Sequence, residues 1–192
     1  MLFRSGNERP VNGYGWPYCA VLPLWDSTGL LRSVLFRAVA VYPGPKSLAL
    51  KDWSRGGLVL ADPMGRALLE ATGEPEPVDL HHDTGPVVWN GVLCLCEGEM
   101  DFLTVATQDT RIQDGQTYAV LGTPGASGLS PAIAARIPPG TEVFLYPHGD
   151  QSGGDWRRRT LAQLAQVGIK DARVMEFPAK DLNEMAMREM YL

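Results

Sequence analysis

Long hydrophobic runs are missing from this 192-residue chain. No stretch approaches the roughly 18 to 20 consecutive apolar residues that a membrane-spanning helix needs. The opening residues, with Arg4, Glu8, Arg9 and Pro10, lack the apolar core of a signal peptide. A cytoplasmic protein with no membrane partner is expected. Cysteine is scarce: Cys19, Cys94 and Cys96 are too few for a disulfide scaffold, and their odd number fits a reducing compartment. The tryptophans Trp16, Trp25, Trp53 and Trp89 are scattered, without the basic interleaving that marks a base-stacking platform. Glycine and proline, by contrast, are abundant. The 21 glycines and 15 prolines make up about 19% of the chain against a usual share of roughly 12%, so elements are short, turns are frequent, and long bundles and coiled coils are excluded.

The net charge of −5 argues against a non-specific binder of polyanions. Its distribution is uneven. Residues 1–69 hold eight basic and four acidic side chains, and residues 70–192 hold nine basic and eighteen acidic ones. A basic segment that meets an anion and an acidic segment that holds a site would produce this asymmetry, as would chance in a short chain.

Residues 22–25 and 30–41 are rich in β-branched, aromatic and leucine residues, and the turn chemistry of Asp26–Gly29 between them predicts a β-hairpin. A regular second strand puts Arg32 and Arg37 on opposite faces. A short apolar strand over 57–61 leads to Asp62-Pro63, a helix-capping pair that starts a helix to about Ala71. Residues 73–90 read as a linker between a lobe at 1–72 and a domain at 91–192. Beyond it, apolar runs near 92–96, 118–121, 143–146 and 173–177 alternate with helical patterns at 99–107, 131–137, 155–167 and 181–190. This is the signature of an α/β fold: a four-stranded parallel sheet flanked by helices, preceded by a small mixed α/β lobe.

Ligands of such sheets sit in the loops at the carboxyl ends of the strands. Three of those loops carry acids: Glu97, Glu99 and Asp101; Asp150 and Asp155; Asp181 and Glu184. These acids either cap the following helices or converge on a hard divalent cation such as Mg²⁺ or Mn²⁺. Other candidates are weaker. Cys94 and Cys96 share a strand face without a second ligand pair and read as core. His81-His82-Asp83 lies in the linker, and Gly122–Gly128 lacks the spacing of a phosphate-binding loop and reads as a tight turn. Arg157-Arg158-Arg159 is either a solvated helix face or a cationic guide for a phosphodiester backbone.

The stretch Leu95-Cys96-Glu97-Gly98-Glu99-Met100-Asp101 resembles the strand-to-helix motif of Toprim domains, a Glu-Gly pair with Asp three residues after the glycine. His148-Gly149-Asp150-Gln151-Ser152-Gly153 resembles their second motif, and Lys180-Asp181-Leu182-Asn183-Glu184 resembles an element of primases. The lobe before them, from Pro23 through Arg37 and Pro45-Lys46-Ser47 to Asp62, is similar to the subdomain that precedes Toprim in bacterial and phage primases. The resemblance covers about residues 20–190. It implies that Glu97 is a general acid or base and that Asp101, Asp150 and Asp181 bind metal, with His148 beside them. It also implies that Arg37 and Lys46 meet nucleic acid or nucleotide phosphates, with Lys180 of the primase-like element and Arg157 and Arg158, placed beside the expected metal loop, as further candidates for phosphate.

The implied activity is metal-dependent synthesis of short RNA primers on single-stranded DNA from nucleoside triphosphates, as in replication of a phage or mobile element. The zinc-binding and helicase regions of such primases are not in this sequence, so either a helicase or separate zinc-binding protein is an expected partner or the sequence is a fragment of a larger protein. His148 replaces the usual first Asp of the second motif, and Asn183 replaces the second Asp of the last. Both substitutions remove an anion and favour Mn²⁺ or weakened catalysis. A catalytically weakened module that binds nucleic acid or nucleotide, and a Toprim nuclease, are the alternatives.

Overall fold

The computed structural model describes residues 18, 20–38, 43–71, 78–79, 86–107, 116–176 and 182. Two sheets organise it. In the first, strands β1 (Ala20–Trp25), β2 (Leu31–Arg37) and β3 (Ser47–Ala49) form an antiparallel meander. Its hairpin forms where turn chemistry predicts: Asp26 Oδ1 accepts from the Thr28 backbone N–H at 2.8 Å, the Thr28 hydroxyl at 2.6 Å and the Leu30 N–H at 3.2 Å. Partial desolvation works against ionisation of Asp26. Hydrogen bonds from Thr28, Arg32 and Leu30 outweigh it and hold the carboxyl well below the usual range. Strand β1 alternates buried and exposed residues, so Leu22 and Leu24 face inward while Val21 and Pro23 face out.

The second sheet has the order β4-β7-β6-β8-β9, from strands β4 (Leu60–Ala61), β6 (Pro86–Glu97), β7 (Gln116–Thr123), β8 (Glu142–Tyr146) and β9 (Arg173–Val174). Strands β6 to β9 run parallel, as the alternating pattern predicts. The edge strand β4 is antiparallel to β7. A short strand β5 (Val78–Asp79) pairs with the start of β6 inside the segment expected to be linker. Helices α1 (Pro63–Glu70), α2 (Glu99–Thr107), α3 (Pro131–Ala134) and α4 (Gln151–Gln166) connect the strands. Among the described residues, no helix is long and apolar enough to cross a membrane.

Asp62 and Pro63 start α1 as their chemistry dictates, with Asp62 Oδ1 accepting from the Gly65 N–H at 2.6 Å. The same oxygen accepts from the Val120 N–H of β7 at 2.9 Å, which fastens α1 and β4 to the large sheet. Two apolar clusters hold the fold. One joins Met64, Leu68 and Leu69 of α1 to Leu93, Leu95, Leu121 and Leu145 of the sheet, with Trp156 of α4. The other joins Leu22, Leu24 and Leu35 of the small sheet to Cys94, Cys96 and Val120 of the large one and to Phe102 of α2. Cys94 and Cys96 are thus core residues. Burial pushes the Cys94 thiol up to about 11 and that of Cys96 well above its ordinary value, so both are inert as thiolates.

Candidate functional site

The carboxyl end of β6, at the middle of the large sheet, delivers Glu97 to the rim. Gly98 follows with φ of +81°, a left-handed turn that glycine adopts without steric cost. Its N–H donates to Thr123 O at 2.9 Å, and α2 begins at the next residue. Glu99 and Asp101 therefore occupy the first helical turn, where the dipole favours negative charge. Glu97, Glu99 and Asp101 are all buried. Buried carboxylates need partners, and the structure supplies them from two other segments.

The first is the loop after β8. The His148 backbone N–H donates to Glu97 Oε2 at 3.0 Å. Its imidazole lies between two acids, with Nε2 at 3.3 Å from Asp101 Oδ2 and Nδ1 at 3.8 Å from Glu97 Oε1. Gly153 permits this seat, because a Cβ there would lie 2.0 Å from His148 O. The second is the small sheet, where Arg37 at the end of β2 donates from Nη1 to Glu99 Oε1 in a largely buried ion pair. Arg32, on the opposite face as its register predicts, is exposed and pairs with Asp26 at 2.5 Å. Lys46 is exposed beside Arg37, since the Ala38 N–H donates to Lys46 O at 2.9 Å.

The remaining expected residues divide. Asp150 is exposed and caps α4, its Oδ1 accepting from the Gly153 N–H at 3.0 Å. Arg157 lines a cavity of 340 Å³ with His148, Asp150, Gly154 and Met175. Arg158 pairs with Asp155 at 2.5 Å, and Arg159 donates to Ala126 O at 3.0 Å, bracing the loop after β7. Lys180, Asp181, Asn183 and the pair His81 and His82 lie outside the described residues. Glu99 is the residue whose role sequence reading missed. Its signal was a third acid, beside Glu97 and Asp101, in one turn of chain.

Among the described residues, no three His, Cys, Asp or Glu side chains are grouped so that they could hold an ion. A hard cation such as Mg²⁺ is commonly held by one or two carboxylates, with water and substrate phosphates completing its shell. A cation held in that mode would draw on the buried carboxylates of Glu97 and Asp101.

No family model and no curated protein sequence matches the chain. Solved structures do. The zinc-binding and RNA polymerase domains of the Aquifex aeolicus primase superpose with a TM-score of 0.53 at 16% identity, over 88% of this chain and 38% of that one. A structure of the bacteriophage T7 lagging-strand DNA polymerase interacting with primase domains of two gp4 subunits, bound to an RNA/DNA hybrid and dTTP, matches with a TM-score of 0.50 at 20% identity. That match covers 88% of this chain and 71% of that one. The primase fragment of the T7 primase-helicase protein matches with a TM-score of 0.50 at 19% identity, over 88% and 58%. The chain thus spans well under half of the Aquifex chain, and what it shares with all three is a primase-like fold.

Proposed function

We propose that this chain catalyses metal-dependent nucleotidyl transfer, joining nucleoside triphosphates into short RNA primers on single-stranded DNA. The observation that carries the reading is the position of Glu97 and Asp101: two buried carboxylates at the carboxyl end of the central strand of a primase-like fold. Glu97 is the general acid or base, with one oxygen oriented by the His148 N–H. Glu97 and Asp101, with Asp181 and Asp150 as further candidates, would hold Mg²⁺ or Mn²⁺. Such an ion, when bound, neutralises charge on the transferring phosphate. Arg37, Lys46 and Arg157 supply positive charge for template or triphosphate, with Lys180 and Arg158 as further candidates. A helicase or a separate zinc-binding protein would select the template.

One observation favours a second reading, a module that binds nucleic acid or nucleotide with little catalysis: the His148 imidazole stands between the two acids. A primer-synthesis assay on single-stranded DNA with Mg²⁺ or Mn²⁺ separates the readings. Short RNA products that fall by about 100- to 10,000-fold in Glu97→Gln support the first. Binding without products supports the second, and cleavage of the template points to a nuclease.

A further inference from the structure

Trp53 lies in the loop that links β3 to β4, where every residue from Lys51 to Gly57 is exposed. Folding normally removes an indole from water, yet this one keeps 56% of its surface in solvent. The loop is built to display it. The Trp53 backbone N–H donates to Leu50 O at 3.2 Å, the Gly56 N–H to Ser54 Oγ at 3.1 Å, and the Leu58 N–H to Arg55 O at 3.2 Å. Asp52, beside the indole, has φ of +66°, the sole left-handed non-glycine among the described residues. Such a conformation costs free energy and is often kept where function requires it.

Topology sets the loop on the rim that carries the acids. Strand β4 is antiparallel to β7 with Leu60 opposite Gly122, so the residues before Leu60 lie beyond the carboxyl end of β7. The Ser130 hydroxyl, in the loop that leaves that end, donates to Gly57 O at 3.4 Å. Glu97 registers with Thr123 at the same end of the sheet. The end of this loop at Gly57 therefore lies on the β4 side of Glu97, with the loop after β7 between them, and Trp53 is exposed four residues back along the same loop. Lys51 and Arg55 flank it two residues to either side, both exposed, in the segment of the chain with net positive charge. A flat apolar ring between two cations matches an unpaired base between two phosphates.

We propose that Trp53 is a stacking platform for an unpaired base of the strand that crosses this rim, with Lys51 and Arg55 on the adjoining phosphates. The proposal rests on the nucleic-acid reading above and names the contact that reading lacks. It also revises the reading of the tryptophans as scattered: Trp25 lies under the Arg66 guanidinium and Trp156 is buried, but Trp53 is presented.

The test is fluorescence anisotropy of a short fluorescein-labelled oligodeoxythymidylate with the full chain, without divalent metal, at about 50 mM and about 200 mM salt. Trp53→Ala weakens binding by about 5- to 100-fold and Trp53→Phe stays within about threefold of the parent. Arg55→Gln lowers the slope of log affinity against log salt by about 0.7. Measurable parent binding that Trp53→Ala leaves unchanged overturns the platform and leaves the nucleic-acid reading standing. No binding by the parent overturns both. A change in self-association on sedimentation with unchanged oligonucleotide binding overturns the platform in favour of a protein interface.

Discussion

Three carboxylates within one turn of chain, at Glu97, Glu99 and Asp101, are buried and face two side chains that can carry positive charge. Arg37 is committed to Glu99, so a phosphate that uses Arg37 competes with a carboxylate already in place. Glu99→Gln removes that competitor while keeping a hydrogen-bond acceptor. Affinity for inorganic tripolyphosphate, measured by calorimetry without metal, is expected to rise about fivefold, from a pair worth about 1 kcal/mol. Weaker binding in the variant would show that Glu99 positions Arg37 instead. On the proposed metal-dependent reading, His148 would set the choice of cation. Mn²⁺ is expected to bind more tightly than Mg²⁺, and His148→Asp to tighten Mg²⁺ by about tenfold. Tighter Mg²⁺ than Mn²⁺ binding in the parent, unchanged in His148→Ala, would refute this.

The junction of β4, α1 and β7 turns on one carboxyl group. Burial pushes Asp62 up to about 6, with the hydrogen bonds from Val120 and Gly65 opposing the shift. A folded-state value above the unfolded one means that the neutral form is favoured in the fold. The stabilisation is complete below pH of about 4, where the unfolded chain is also protonated, and is lost as pH rises through about 6. The loss is about 3 kcal/mol. Asp62→Asn keeps an oxygen for both N–H donors and does not titrate. Urea midpoints at several pH values between 4 and 7 are therefore expected to move in favour of Asp62→Asn as pH rises, and parallel curves would disprove the assignment. The capping role of Asp62 was legible from the Asp-Pro pair. Its bond to Val120 was not, because the partner lies 58 residues away.

Taken as a body, the chain has apolar clusters that draw on residues from both sides of the expected linker. Leu22, Leu24 and Leu35 of the small sheet share a cluster with Val120 of the large one and Phe102 of α2. Val59, Met64, Leu68 and Leu69, all before residue 73, belong to the core of the large sheet. Unfolding in urea is expected to be one transition, coincident by tryptophan fluorescence and far-UV circular dichroism. Residues 73–192 expressed alone are expected to lose more than about 5 kcal/mol of stability, since several buried leucines worth about 2 kcal/mol each lose their partners. Two separate transitions, or a shortened chain as stable as the whole, would contradict the shared core.

Local chemistry carried the hairpin turn at Asp26–Gly29, the start of α1, the parallel alternation and the location of acids at strand ends. Each of these depends on side-chain periodicity or on groups a few residues apart, which a sequence displays directly. The seat of His148 between Glu97 and Asp101, the engagement of Arg37 by Glu99, and the anchoring of the Trp53 loop at Gly57 depend on strand order and register. Those are settled when apolar faces distant in sequence pack together, as β4 does when it joins β7 and carries its loop to the edge where Glu97 stands.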